Sequence, residues 1–190
     1  MIPNLRDVGQ TVNILSGTER LREGRLFRGG TVNRLFSADE LPPVRTVLNL
    51  RKGPDRAFDG FHFVHLPAED SLNNYKTERR EVRAWILSAL AALQTCEWPV
   101  LVHCTAGRDR TGVVVAAVLA AVGVDRQWIF EDYLLSDGIH DPADFESALD
   151  GIFTLETLFN DTALISDLRS SLVAGGCDFR PNMKFGEPSE

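Results

Sequence analysis

The spacing of apolar and polar positions predicts a chain of short strands and amphipathic helices. Three runs rich in β-branched and apolar residues are typical of strands; they cover 45–50, 61–66 and 99–102. Apolar residues recur at helical spacing over 77–94, which predicts an amphipathic helix. The run 113–122 is apolar on every side, so it predicts a buried helix at the centre of the domain.

The remaining segments complete an α/β pattern. Residues 4–35 are rich in turn residues around one or two predicted short strands. Further helices are predicted by capping and periodicity over 37–41, 127–135, 143–159 and 162–173. This order predicts one α/β domain over 1–176, with a mostly parallel sheet of four to five strands flanked by helices on both faces. We expect 177–190, with two prolines and little periodicity, to be a flexible tail.

Composition narrows the possible partners. With 190 residues and 44% hydrophobic composition, the chain can bury one substantial core. A net charge of −7 repels nucleic acids and anionic membranes, so an anionic substrate needs a local positive site. No apolar stretch reaches the length of a membrane span. Three cysteines do not make a disulfide framework, and a reactive thiolate needs a reducing compartment, so we expect a cytoplasmic protein.

The strongest candidate for chemistry is the segment 103–112, which reads His-Cys-Thr-Ala-Gly-Arg-Asp-Arg-Thr-Gly. It lies between the predicted strand 99–102 and the predicted helix 113–122. Five residues separate Cys104 from Arg110, and a loop of this length can curl until its backbone N–H groups converge. Such a concave loop at a helix N-terminus binds an anion like phosphate.

The residue types fit phosphoryl transfer. A free cysteine is only about 3% thiolate at neutral pH, and a helix N-terminus beside arginine stabilises the anion. The planar fork of Arg110 can bind two phosphoryl oxygens at once. Gly107 permits a positive φ in the bend, and Thr111 can donate its hydroxyl to the sulfur when it leaves. The predicted phosphate-binding residues are those between Cys104 and Arg110, namely Thr105, Ala106, Gly107, Arg108 and Asp109.

The segment resembles the signature loop of the cysteine-dependent protein tyrosine phosphatase superfamily. It is most similar to the bacterial tyrosine phosphatases whose loop reads Ala-Gly-Lys-Asp-Arg-Thr-Gly, some of which accept phosphoinositides. Two other segments, Asn-Leu-Arg-Asp-Val-Gly at 4–9 and Leu-Phe-Arg-Gly-Gly at 26–30, also resemble that family. The resemblance implies a hydrolase without metal or cofactor, with dual specificity or tyrosine specificity. Its partner would be a phosphorylated protein or a small-molecule phosphate.

A carboxylic acid must protonate the leaving oxygen and later activate water. Asp70 lies 34 positions before Cys104, in a polar turn after the predicted strand 61–66. In the compact dual-specificity and lipid phosphatases that this chain resembles, the acid comes from a loop in this place. Asp70 is therefore the predicted acid, and Glu69 and Asp109 remain rivals.

Several alternatives stay open. Arg108 replaces the lysine that often marks phosphoinositide recognition in such loops; the positive charge is kept, but the contact geometry is not equivalent. The alternative substrate is a small-molecule phosphate, namely a phosphoinositide, an inositol phosphate, a nucleotide or a biosynthetic intermediate. A silent phosphate-binding module would also use such a loop. A sulfurtransferase or an arsenate reductase also uses an activated cysteine loop, but would require a different loop length or additional resolving cysteines at the site. We expect His103 to tune the cysteine from behind. Cys96 is either a packing residue or a redox partner of Cys104, and the role of Cys177 is open.

Overall fold

A computed structural model of the protein describes residues 1–139 and 141–175. In these residues the chain forms a sheet whose strands are β1 (Arg6–Asp7), β2 (Leu26–Gly29), β3 (Thr46–Asn49), β4 (His62–His65) and β5 (Val100–His103). The α-helices of the same residues are α1 (Val8–Ser16), α2 (Arg80–Thr95), α3 (Asp109–Val122), α4 (Arg126–Leu134), α5 (Pro142–Phe153), α6 (Glu156–Asn160) and α7 (Thr162–Leu172).

The sheet has the order β1-β2-β5-β3-β4. Strands β2, β5, β3 and β4 are parallel to their neighbours, and only the short β1 is antiparallel to β2. Because parallel strands end at the same edge, the loops after β2, β3, β4 and β5 meet there. The predicted single α/β domain with a mostly parallel sheet is confirmed.

Side chains from the two faces of the sheet enter two separate clusters. Leu48, Val100 and Val102 face the main core with the α-helices, whereas Val47 and Leu101 face a smaller cluster. This alternation follows from the two-residue period of a strand. The smaller cluster is covered by residues of the loops on either side of a 3-10 helix at Ala38–Glu40.

Helix α3 lies at the centre of the main core. Every residue from Arg110 to Val122 is buried, as expected for a helix that is apolar on all sides. The helix begins at Asp109, four residues before the apolar run predicted it. The end of the candidate loop is therefore the first turn of α3, where backbone N–H groups lack helical acceptors.

Two local predictions were incomplete. Helix α1 was not predicted, because its nine residues include Gly9 and several β-branched side chains; the Asp7 carboxylate caps it by accepting from Gly9 N at 2.9 Å. The predicted helix 143–159 is split into α5 and α6. The split occurs where Thr154 ends α5 and Leu155 turns into the core.

Two further predictions concern the ends and the surroundings of the chain. The predicted tail over 177–190 lies outside the described residues, as does the end of the predicted domain at residue 176. Among the helices of residues 1–139 and 141–175, none combines the length and the apolar character that a membrane span requires.

Candidate active site

Cys104 lies directly after β5, in the middle of the sheet edge where the parallel strands end. The residue is buried, with 1% exposure. The chain then curls through 105–108 and enters α3, which places Arg110 and Thr111 in the first helical turn. The strand, loop and helix thus bring the cysteine and the arginine to one end of the central helix.

The loop offers unpaired donors to an anion. In the part of the chain that the structure describes, the backbone N–H groups of Ala106, Gly107 and Arg108 donate to no acceptor. Gly107 has a φ of 75°, a conformation that favours glycine. A Cβ there would lie 2.5 Å from the backbone nitrogen of Gly30, so only glycine fits the bend.

The guanidinium of Arg110 is buried and faces the loop and the segment after β4. Its Nη2 donates to Thr105 Oγ1 at 3.0 Å and lies 2.8 Å from the Asp70 carboxylate. Its Nη1 donates to the carbonyl of Ala68 at 3.3 Å. Within the described residues, Arg110 Nε and the Thr111 hydroxyl are buried without a hydrogen-bond partner. Buried unpaired donors are costly, and a bound oxyanion or a thiolate would satisfy them.

The sequence model of the tyrosine phosphatase family matches residues 1–151, which include the whole sheet and the candidate site. The chain belongs to the tyrosine phosphatase family. The family that was predicted from the resemblance of segment 103–112 is therefore confirmed.

Two relatives in this family come from bacteria. The triple specificity protein phosphatase PtpB of Mycobacterium tuberculosis is 31% identical over 70% of this chain and 66% of its own length. A Cupriavidus necator relative with tyrosine-protein phosphatase in its name is 31% identical over 72% of this chain. The chain spans 66% and 61% of the lengths of these two relatives.

Solved structures show the same fold. TpbA of P. aeruginosa is 26% identical, with a TM-score of 0.52 over 72% of this chain and 84% of its own. The core catalytic domain of SIW14 from S. cerevisiae has a TM-score of 0.54 over 90% of this chain and 93% of its own. Its identity is 16%, so this second likeness concerns the fold alone.

The three candidate acids of this family member lie in different surroundings. Asp70 is 70% exposed at its side chain and pairs with Arg110. The neighbouring Glu69 carboxylate pairs instead with Lys52 at 2.9 Å and is equally exposed. Asp109 is held within the first turn of α3 by several donors. Of the three candidate acids, only Asp70 therefore forms an ion pair with Arg110, the residue that we expect to bind phosphate.

Asp109 and Arg108 are bound to each other and to the protein behind them. Arg108 donates to the Asp109 carboxylate through Nε at 2.8 Å and Nη2 at 3.0 Å, and this pairing raises the pKa of Arg108. The guanidinium also donates to the carbonyl of Gly138. The hydroxyl of buried Tyr75 donates to Asp109, and burial followed by this hydrogen bond raises the pKa of Tyr75. Both charged side chains are thus engaged within the protein.

His103 lies behind the cysteine, buried completely. Its Nε2 lies 2.6 Å from the carboxylate of Asp55, and its Nδ1 lies 3.3 Å from the carbonyl of Cys104. Arg51 pairs with the same Asp55 at 3.3 Å. The candidate loop is therefore connected through His103 to the segment that follows β3.

Sequence reasoning missed the residues that surround the loop from behind. Asn4, Arg28 and Asp132 contact the loop or one another; the sequence signal for Asn4 and Arg28 was the resemblance of segments 4–9 and 26–30 to the family. Tyr75 had no signal, because its partner Asp109 is distant in sequence.

The other cysteines lie apart from these contacts or outside the described residues. Cys96 ends α2 and packs against the core, and burial raises the pKa of its thiol to about 11. Its thiol is therefore protonated at neutral pH. Cys177 lies outside the described residues. Among residues 1–139 and 141–175, no group of three His, Cys, Asp or Glu side chains is arranged to hold a metal ion.

Proposed function

We propose that this protein hydrolyses phosphomonoesters through a cysteinyl-phosphate intermediate, with phosphotyrosine in proteins as its main substrate. The observation that carries the proposal is the loop from Cys104 to Arg110, where the amides of residues 106–108 and the Nε of Arg110 have no acceptor among the described residues and lie beside a buried thiol. Such a set of fixed donors stabilises the charge that develops on a transferring phosphoryl group. Membership in the tyrosine phosphatase family supports the same chemistry.

In the first step the phosphoryl oxygens accept hydrogen bonds from the loop amides and from Arg110. The substrate takes the place of the Asp70 carboxylate, which lies 2.8 Å from Arg110 Nη2. The Cys104 thiolate attacks phosphorus, so that an S–P bond forms as the P–O bond to the leaving group breaks. Asp70 gives its proton to the leaving oxygen.

In the second step the ionised Asp70 takes a proton from water. The water oxygen attacks phosphorus, the S–P bond breaks, and inorganic phosphate leaves with the regenerated thiolate behind it. Thr111, whose buried hydroxyl has no partner within the described residues, donates to the departing sulfur. The carboxyl group of Asp70 thus serves first as general acid and then as general base.

The proposed substrate class is supported by the pairing of the cations beside the loop, which limits how many of them can bind a ligand. Arg108 is engaged by Asp109 and Gly138, so the extra cation that would favour a polyphosphorylated ligand is occupied. This favours a single phosphoryl group on a protein. TpbA has also been solved in complex with pTyr, and it is 26% identical to this chain.

A substrate panel tests the proposed function. We expect kcat/KM for a phosphotyrosyl peptide to exceed that for a phosphoseryl peptide, an inositol phosphate and a nucleotide by about tenfold or more, with EDTA present throughout. Preference for an inositol phosphate or nucleotide would move the assignment to small-molecule phosphates. Binding of phosphate without turnover of any substrate would contradict the proposal that the protein is an enzyme. Turnover of thiosulfate or arsenate would contradict the proposal that its reaction is phosphomonoester hydrolysis.

Asp70→Asn should separate the leaving-group step from phosphate binding. We expect kcat for a phosphotyrosyl peptide to fall about 10²–10⁴-fold, because the leaving oxygen loses its proton donor. The loss should be smaller with p-nitrophenyl phosphate, whose leaving group needs less protonation. Inorganic phosphate should bind more tightly, because the anion that competes for Arg110 is gone.

The controls for this prediction are Glu69→Gln and Asp109→Asn, measured with both substrates. Neither should show a loss that depends on the leaving group, since Glu69 pairs with Lys52 and Asp109 with Arg108. A leaving-group dependence in either variant, together with its absence in Asp70→Asn, would assign the acid to that residue instead.

A further inference from the structure

The carbonyl groups of the phosphate loop are held from outside by donors of distant segments. The Thr105 carbonyl accepts from the backbone nitrogen of Thr31 at 3.0 Å. The Ala106 carbonyl accepts from the side-chain amide of Asn4 at 2.9 Å. These donors come from the segments before β1 and after β2, which pack against the loop.

The next two carbonyl groups accept from one buried side chain, and the Arg108 carbonyl also accepts from the backbone nitrogen of Gly112 at 2.6 Å. Arg28, on β2, donates through Nη2 to the carbonyl oxygens of Gly107 at 3.3 Å and Arg108 at 3.4 Å. Four successive carbonyl groups, those of residues 105–108, are therefore paired with donors from elsewhere in the chain, while the intervening N–H groups of 106–108 have no acceptor in residues 1–139 and 141–175.

Peptide geometry links these two facts. In a planar trans peptide the C=O of one residue and the N–H of the next point in opposite directions. A donor that holds the carbonyl of Ala106 therefore turns the N–H of Gly107 the other way, toward the interior of the loop. The same argument applies to each of the other held carbonyl groups. Consecutive N–H groups turned to one side form an anion-binding concavity.

The side chain of Arg28 is itself fixed. Its Nη1 lies 2.5 Å from the Asp132 carboxylate, and Arg6 Nε lies 2.9 Å from the other oxygen of the same group. Burial, followed by the charge of Arg28, lowers the pKa of Arg6. Two guanidinium groups share one carboxylate, so this buried group carries an excess positive charge behind the loop.

We propose that Asn4 and Arg28 are positioning residues for the phosphate site. They hold the carbonyl groups of the loop so that its amides face the bound phosphoryl group, and Arg28 adds positive charge behind it. Neither side chain needs to touch the substrate. The inference rests on the proposed phosphatase function and identifies what organises that site.

Variants of Asn4 test this role without disturbing the core. Asn4 has a φ of 52°, which glycine and aspartate tolerate. Asn4→Gly removes the side chain. In the wild type, Asn4 Oδ1 accepts a hydrogen bond from the backbone nitrogen of Asp137 at 2.8 Å. Asn4→Asp keeps an oxygen acceptor for this bond but removes the side-chain N–H that donates to the Ala106 carbonyl. The readouts are the affinity for inorganic phosphate by calorimetry, kcat and KM, and the thermal midpoint.

A matched control is Asn33→Asp. The Asn33 side chain also donates to a carbonyl, that of Pro54 at 3.3 Å, and accepts from the backbone nitrogen of Arg56 at 3.0 Å. It lies in the loop after β2. The variant introduces the same charge and breaks the same kind of hydrogen bond, but the partners of the Asn33 side chain are Pro54 and Arg56 and not a carbonyl of the phosphate loop.

We expect Asn4→Gly and Asn4→Asp to weaken phosphate binding roughly tenfold and to raise KM, with thermal midpoints within about 3 °C of the wild type. Asn33→Asp should bind phosphate like the wild type. Wild-type affinity in either Asn4 variant, or an equal loss in Asn33→Asp, would overturn the role of Asn4. A wild-type protein that neither binds phosphate nor hydrolyses p-nitrophenyl phosphate would contradict the proposed function, which is a separate result.

Arg28→Lys separates geometry from charge. The ammonium keeps the charge, but one nitrogen cannot serve Asp132 and two loop carbonyl groups together. We expect this variant to bind phosphate at least about tenfold more weakly while retaining a cooperative unfolding transition. Wild-type affinity would assign the effect of Arg28 to its charge alone and overturn its positioning role.

Discussion

Cys104→Ser is expected to abolish hydrolysis of p-nitrophenyl phosphate and phosphotyrosyl peptide, with kcat falling by at least about 10⁴-fold. A serine hydroxyl at this position is far less ionised than a thiol, so the attacking anion is lost. The loop amides and Arg110 remain in place. Phosphate affinity should therefore stay within a few-fold of the wild type, and calorimetry beside steady-state kinetics would show this split.

Cys96→Ser is the matched control for that variant. Cys96 is half-buried at the end of α2, and its thiol stays protonated at neutral pH because burial raises its pKa to about 11. We expect kcat and KM close to those of the wild type. Unimpaired hydrolysis by Cys104→Ser, or an equal loss in Cys96→Ser, would remove Cys104 from the reaction.

Arg110→Lys is the second large effect that we expect. Lysine keeps the positive charge but loses the planar fork that binds two phosphoryl oxygens. The buried Nε of Arg110 has no partner within the described residues, so we assign that donor to the phosphoryl group. We expect kcat/KM to fall about 10²–10³-fold, the usual effect of removing one donor that stabilises transition-state charge.

Arg108→Lys is the comparison for this prediction, since the two arginines lie two positions apart. The guanidinium of Arg108 pairs with Asp109 and the Gly138 carbonyl, and its backbone N–H remains in the variant. We expect a loss of less than about tenfold. If Arg108→Lys loses as much as Arg110→Lys, or more, then Arg108 binds the substrate directly and the assignment of Arg110 fails.

The central part of the fold could be predicted because its signals are local. An apolar strand, a loop with Gly107 at its bend and a helix that is apolar from Val113 onward follow one another in sequence between Val100 and Val122. Helix α1 could not be predicted in the same way. It is nine residues long and contains Gly9, so its stability comes from the cap at Asp7 and from packing against the rest of the core.

The site could be predicted as far as its residues are contiguous. The loop from Cys104 to Arg110 carries its chemistry in one segment. The sequence predicts Asp70 as the acid but leaves Glu69 and Asp109 as rivals, because the contacts that distinguish their surroundings, such as those of Arg110 with Asp70 and of Tyr75 with Asp109, are long-range. Asn4 was out of reach for the same reason, since it contacts Ala106 across 102 positions.

The proposed reaction depends on a phosphoryl group that is carried by Cys104, and trapping that intermediate is its most direct test. The protein would be mixed with p-nitrophenyl phosphate in EDTA, quenched during turnover and analysed by mass spectrometry of its peptides. We predict one phosphoryl group on the peptide that contains Cys104, and none in the Cys104→Ser variant. Turnover without a phosphorylated intermediate, or a phosphoryl group on a residue other than Cys104, would contradict the proposed mechanism.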